Sequence, residues 1–312
     1  MASESICSRT TGIDRNDFID GSKVTEMRYE APDTMEAAIE LLANEDGVAR
    51  VLAGGTDLLV QLRAEMVEPD LVVDVKRIAA MREVILESGG YRVGAAVTGA
   101  ELGEHAGFKA TWPGVLEGFE LIGSTQVQGR ATMGGNLCNA SPAADSVPAL
   151  IAASAMVTIH GPNGQREIPV EDVAIGPGQT LLGKGELVTS FFFPEAPPRT
   201  GDAYLRFIPR TEMDIAVVGA GICLTLDDAG ICTAARVSLG AVAARVLVVP
   251  EAADALIGSS VDDAALTRLS EAASAAAKPI DDKRGTKEFR IQVMGVIARR
   301  TAEVALARAS SD

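Results

Sequence analysis

The chain has 312 residues, 43 acidic against 28 basic for a formal net charge of −15, with 47% hydrophobic and 23% charged residues. That length admits two domains with well-buried cores, and the composition is that of a globular protein, not a disordered one. The negative charge would repel a phosphate backbone, which argues against a nucleic-acid role, and the longest nearly apolar stretch, residues 147–159, is too short to span a bilayer.

The polar N-terminus has no charged-then-apolar signal pattern, so the chain reads as cytoplasmic. Cys7, Cys138, Cys223 and Cys232 lie too far apart for a CxxC pair, and His105 and His160 are the only imidazoles. No iron–sulfur or zinc site is expected within the chain. Cys223 and Cys232 fit adjacent strands, but they read as buried thiols in a reducing compartment.

Residues 1–26 lack periodicity and read as a flexible arm before a first strand near 27–30. Asp33 with Glu36 forms the acidic variant of a capping box, and Met35, Ile39 and Leu42 recur at helical spacing, which predicts a helix to about Asn44. The apolar run 50–53 then breaks at Gly54-Gly55-Thr56 and resumes at 57–62, giving strand, glycine loop, helix. Strands are expected at 71–75 and 91–95, and Thr98 with Glu101 opens a short helix.

A helix over 112–122 leads into a glycine-rich passage, 123–146, with no convincing periodicity. Loops that long inside compact domains are usually functional. Residues 147–153 predict a buried helix, and 156–160 with 165–168 a hairpin about Gly161-Pro162-Asn163-Gly164. The Pro-rich link 194–198 marks a domain boundary. Beyond it, 216–226 and 231–239 form a hairpin about Asp227-Asp228-Ala229-Gly230, and the remainder reads as helical: 261–278, then 287–307 with Phe289, Val293, Val296, Ile297 and Val304 on one apolar face.

Two segments carry the chemistry, Ala53-Gly54-Gly55-Thr56-Asp57 and Thr132-Met133-Gly134-Gly135-Asn136. Paired glycines let the backbone approach a ligand and turn its N–H groups inward, the anion-binding concavity a pyrophosphate needs. A helix after Thr56 would add its N-terminal N–H groups. Neither segment is a P-loop, since no Gly-Lys-Ser/Thr follows. Val218-Gly219-Ala220-Gly221-Ile222-Cys223-Leu224 mimics the start of a dinucleotide fingerprint, but Leu224 stands where a third small residue belongs, so it reads as a strand.

Ala53-Gly54-Gly55-Thr56-Asp57-Leu58-Leu59, followed some seventy residues later by the run from Arg130 through Thr132-Met133-Gly134-Gly135-Asn136-Leu137-Cys138-Asn139 to Asp145, resembles the flavoprotein subunits of the xanthine dehydrogenase and carbon monoxide dehydrogenase family. The likeness extends through 206–216, ending in Asp214-Ile215-Ala216, to the helix from Lys287. It implies an α+β fold: a two-subdomain FAD-binding portion of the PCMH (vanillyl-alcohol oxidase-like) type over 27–199, and a C-terminal α+β domain over 200–312.

By matching positions, the resemblance implies that Leu52, Ala53, Gly54, Gly55, Thr56, Asp57 and Leu58, with Thr132, Gly134 and Gly135, hold the FAD pyrophosphate. Asn136, Asn139 and Asp145 reach ribityl, phosphate or adenosine oxygens. Leu187 and Val188 pack near the ring, Arg206 supplies a cation beside it, and Ile215 lies against its face. Gln128-Gly129 stands where many relatives carry Arg-Asn, so that anchor is not expected here. The implied partners are a small [2Fe-2S] subunit and a large molybdopterin subunit in a dimer of heterotrimers, with FAD collecting electrons for an external acceptor. The alternative is a free-standing FAD-dependent oxidase or dehydrogenase, and a flavin-free scaffold is a third reading.

Overall fold

A computed structural model describes residues 27–311. The arm expected over 1–26, with Cys7, lies outside them.

Three short strands form a parallel sheet in the order Arg28–Glu30, Leu71–Asp74, Ala49–Leu52. The central strand is buried along its whole length, as befits the middle of a parallel sheet. The helix Met35–Asn44 packs beside it through Ala38 and Leu42. Its cap is Thr34, not Asp33: Thr34 is extended, and its hydroxyl accepts from the Ala37 N–H at 3.2 Å, while Asp33 pairs with Arg77 at 3.2 Å. The box at Thr98 and Glu101 forms as expected, with both reciprocal bonds present.

A five-stranded antiparallel sheet follows, in the order Val84–Glu87, Gly90–Gly94, Leu187–Pro194, Met156–Gly161, Gly164–Pro169. The hairpin at 161–164 is where its turn residues put it. The strand Val84–Glu87 and the helix Ala106–Thr111 carry no strong pattern in the sequence. Within 123–146 the chain is not a plain loop: it contains helices Thr125–Gln128 and Met133–Cys138, of 4 and 6 residues, too short to display a 3.6-residue period.

The helix Ser146–Ala152 is buried at every position. It packs on a third sheet, antiparallel, in the order Thr200–Phe207, Val218–Leu226, Cys232–Gly240, Leu247–Val248. The approach is close enough that a Cβ on Gly221 would lie 2.3 Å from the Pro148 carbonyl oxygen. Val218–Leu226 is therefore a strand whose glycines serve packing, not a nucleotide loop. Cys223 and Cys232 stand on the neighbouring strands as free thiols.

The C-terminal segment is not wholly helical, since Leu247–Val248 adds a strand before helices Pro250–Asp254, Asp263–Ala276 and Lys287–Ala309. The last helix buries only part of the face its large residues mark. Ile297 is buried and Val293 and Val304 pack half-buried against the second core, but Phe289 and Val296 are 40% and 44% exposed, and the rest of the buried stripe includes Met294, Ala298, Thr301, Ala302 and Ala305. Close approach is the reason: a Cβ on Gly201 would lie 2.1 Å from the Ala305 carbonyl oxygen, so only small side chains fit the contact.

Between the two halves, Asp202 accepts from the Val115 N–H at 3.0 Å, and Arg308 pairs with Glu117 while donating to the Asp202 carbonyl at 2.6 Å. Burial pushes the Asp202 carboxyl from its ordinary 3.8 to about 6, against the pull of the Gly114 and Val115 N–H groups and Arg308. A carboxyl with a raised folded pKa holds its proton more tightly when folded, so its contribution is present below about pH 4 and is lost as pH rises through about 6. Asp202→Asn is expected to gain melting temperature relative to the parent as pH rises across that window. Thermal melts of both proteins at pH 4.5 and 7.5 check it, and a pH-independent difference would contradict it.

Candidate cofactor site

Residues from all parts of the first half converge on a cavity of about 550 Å³, within the range of about 300–1,000 Å³ usual for cofactor sites. Its wall contains Ala53, Gly54, Gly55, Thr56, Asp57 and Leu58 from the first glycine segment and Thr132, Gly134, Gly135 and Asn139 from the second, with Leu187 and Val188 behind them. The sequence separates these groups by more than 130 residues; the fold brings them together.

Their glycines act differently. Gly55 has φ +79, the left-handed region that favours glycine. A Cβ on Gly54 would sit 1.9 Å from the Arg130 carbonyl oxygen, and one on Gly134 would sit 2.7 Å from that of Ala95. Both are glycines because backbone passes there. At Gly135 a Cβ would meet only the Thr132 hydroxyl, at 3.0 Å, so its other side is open to the cavity.

Hydrogen bonding separates the two segments further. None of the backbone N–H groups of Gly54, Gly55, Thr56 and Asp57 has an acceptor among the described residues, and all four residues line the cavity. That run of unpaired donors is a ready anion receptor. In the second segment, expected to act alike, the N–H groups are consumed by the fold. Thr132 caps the helix Met133–Cys138 by accepting from Gly135 at 3.1 Å, and the Gly134 N–H goes to the Ala95 carbonyl at 3.1 Å. What this segment offers a ligand is the Thr132 hydroxyl proton and the space at Gly135.

A polar chain joins the two. Gln61 Nε2 donates to Asn139 Oδ1 at 3.1 Å, and Asn139 Nδ2 donates to Asp57 Oδ1 at 3.2 Å. Burial raises the Asp57 carboxyl above its ordinary range. Gln61 was not singled out in the sequence, although it stands one helical turn after Asp57. Gly178, Thr180 and Leu182 of the wall come from around the two-stranded element at 174–180, too short to leave a pattern. Cys138 also lines the cavity, but burial pushes its thiol to about 12, so it stays protonated and unreactive.

The remaining expected residues lie outside this wall. Leu52 is buried and gives its carbonyl to Val75. Asn136 Oδ1 accepts from the Ser146 hydroxyl at 2.7 Å. Asp145 accepts from the Tyr204 hydroxyl at 2.9 Å and forms an ion pair with Arg206, whose side chain is 4% exposed, so Arg206 is no surface salt bridge. Burial lifts the Asp145 carboxyl to about 6 against the opposing pull of Arg206. Ile215 is 51% exposed, which rules out a plain core residue. Among the described residues no His, Cys, Asp and Glu cluster could hold a metal, and no helix is long and apolar enough to cross a membrane.

An α+β fold that walls a large cavity with two glycine segments, one presenting a run of unpaired amides, defines a protein that binds a phosphate-bearing cofactor. Comparison with known proteins makes this specific. Residues 25–196 match the family model of the FAD binding domain in molybdopterin dehydrogenase, and 203–305 that of the CO dehydrogenase flavoprotein C-terminal domain. The chain is 30% identical over 283 residues to the xanthine dehydrogenase FAD-binding subunit of Escherichia coli O157:H7, covering 90% of this chain and 96% of that one. It is 31% identical to the carbon monoxide dehydrogenase medium chain of Afipia carboxidovorans, covering 91% and 98%. In structure it is similar to a chain of the reconstituted CO dehydrogenase from Oligotropha carboxidovorans, with TM-score 0.87, 31% identity and coverage of 91% and 98%. The chain belongs to the family of FAD-binding medium subunits of molybdenum hydroxylases of the xanthine dehydrogenase and CO dehydrogenase type.

The glycine geometry predicts that Gly54→Ala loses on the order of 3 kcal/mol of stability through overpacking, whereas Gly135→Ala changes it by less than about 1 kcal/mol. Denaturant unfolding of the two variants checks the contrast, and equal effects would contradict it.

Proposed function

We propose that this chain holds one FAD noncovalently, takes electrons from a [2Fe-2S] partner subunit and passes them to an external acceptor, while a molybdopterin subunit oxidises the substrate. The observation that carries the reading is the run of four unpaired amides from Gly54 to Asp57, which suits a pyrophosphate. Bound FAD supplies the ability to accept electrons singly or in pairs; the protein's part is to hold and shield it.

In this reading the Gly54–Asp57 amides and the Thr132 hydroxyl bind the pyrophosphate, and Gly135 leaves room for it. The Gln61, Asn139 and Asp57 chain meets cofactor hydroxyls, with Asp57 as acceptor, since a carboxylate beside a phosphate would repel it. Leu187 and Val188 supply the apolar wall. Arg206, its guanidinium fixed by Asp145, stands as the cation near the ring, and exposed Ile215 covers a ring face. All wall residues fall between positions 49 and 188, which supports 27–199 as the cofactor-holding unit. Noncovalent attachment is supported by the protonated state of Cys138, and a cytoplasmic setting by the free thiols of Cys138, Cys223 and Cys232.

Purification through a tag on this chain is expected to recover a small [2Fe-2S] subunit and a large molybdopterin subunit, with a yellow cofactor released to the supernatant by acid. A monodisperse flavoprotein that turns over a substrate unaided would replace this reading with the free-standing oxidase. Ile215→Ala is expected to keep FAD and the melting temperature, since its side chain is half exposed, while changing the rate of flavin reoxidation. Stopped-flow traces beside a melting curve check it; unchanged reoxidation would remove Ile215 from the site.

A further inference from the structure

The first glycine segment is gripped from behind. Lys76, two residues beyond the strand Leu71–Asp74, donates from Nζ to the Ala53 carbonyl oxygen at 3.1 Å and to Asp74 Oδ2 at 2.8 Å. The same Oδ2 accepts from the Tyr29 hydroxyl at 2.6 Å, and Oδ1 accepts the Lys76 backbone N–H at 3.0 Å. Asp74 is only 6% exposed, so its carboxylate is a fixed anchor drawing on the first and third strands of the chain. Hydrogen bonds and the ammonium of Lys76 outweigh burial and hold the Asp74 carboxyl below its ordinary range.

The peptide geometry gives this grip a consequence. In a trans peptide the carbonyl of one residue and the N–H of the next point in opposite directions. An ammonium that draws the Ala53 carbonyl outward therefore turns the Gly54 N–H toward the cavity that both residues line. Lys76 itself does not line the cavity. Ala53 and Gly54 follow directly on the last paired residue, Leu52, so the Lys76 bond fixes the first peptide plane that sheet pairing leaves unset.

We infer that Lys76, anchored by Asp74 and Tyr29, is a positioning residue that orients the Gly54 amide toward the flavin pyrophosphate. This rests on the FAD reading proposed above. A competing role is through-space attraction of the pyrophosphate by the Lys76 charge, and the two differ in the role of Asp74. As an anchor Asp74 aids binding; as a counter-charge it opposes binding.

The test strips FAD from the purified complex and titrates FAD back, following quenching of flavin fluorescence, for the parent, Lys76→Met, Lys76→Arg and Asp74→Asn. Melting curves of the stripped proteins report folding. Lys76→Met is expected to raise the FAD dissociation constant about tenfold or more, the effect of losing one charge-assisted hydrogen bond. Lys76→Arg, which keeps a charged donor, is expected to restore most of the affinity, and Asp74→Asn to weaken binding. Should Lys76→Met fold poorly, Lys76→Gln, polar and uncharged, replaces it with the same expectation. Unchanged affinity in the folded Met or Gln variant overturns the inference, as does tighter binding by Asp74→Asn. A parent complex that takes up no FAD overturns the functional reading itself and the inference with it, whereas uptake by parent and variant alike overturns the positioning role alone.

Discussion

Backbone passing over backbone is the constraint on which the rest depends. Where Gly54 meets Arg130, there is no room for even one carbon atom between the two segments, and the same holds where Gly134 meets Ala95. The first contact ties the end of the parallel sheet, and the second the end of the antiparallel strand Gly90–Gly94, to the long passage before the buried helix. They set the distance between the two halves of the cavity wall, and the Gln61, Asn139 and Asp57 hydrogen bonds then span it. A side chain at either glycine would part the segments before it touched a ligand. Much of what a paired-glycine motif encodes is therefore the assembly of a cavity, and only part of it is direct contact with what fills the cavity.

The second half of the chain extends this assembly. The helix Ser146–Ala152 packs on the third sheet at Gly221, and the Ser238 hydroxyl donates to the Pro148 carbonyl at 2.5 Å. From the same region Asp145 reaches across to Tyr204 and Arg206. A buried ion pair of this kind is weak evidence for stability, because desolvation offsets the attraction. Its clearer effect is geometric: it fixes where one guanidinium stands relative to the entrance of the helix that follows the second glycine segment. The position of Arg206 thus depends on contacts from both halves.

The legible parts of the fold were those with local chemistry. The hairpin at 161–164, the capping box at Thr98, the strand–glycine–helix unit at 49–63 and the buried helix each follow from a few adjacent residues. The illegible parts were set by distant packing. The buried stripe of the last helix is alanine-rich because Gly201 lets a strand come close, so Phe289 and Val296, which the spacing places on the buried face, mislead. In the second glycine segment, the sequence suggests free amides, yet their acceptors are the cap of a 6-residue helix and a carbonyl at Ala95, neither visible as a pattern. Of the expected site, the first segment, Thr132, Gly134, Gly135, Asn139, Leu187 and Val188 converge on one cavity. Leu52, Asn136, Asp145, Arg206 and Ile215 have structural partners or exposure that only the fold reveals.

The character of the wall bears on how work is divided in such a complex. Its one thiol is kept protonated by burial, its donors toward the cavity include amides and a hydroxyl, and the Asp57 carboxyl, raised by burial, is tied to an amide side chain. The thiol, held at about 12, is not poised to exchange a proton near neutral pH. Such a wall is suited to hold a cofactor of fixed shape and to let the cofactor's own electronic structure set the chemistry. On the proposed reading, selection on this chain falls on orientation and access: the peptide planes of residues 53–57, the room at Gly135, and the exposed side chain of Ile215. Substrate preference would then be read in another chain, and relatives acting on unlike substrates can keep this architecture, as the shared family of a xanthine dehydrogenase subunit and a carbon monoxide dehydrogenase medium chain illustrates.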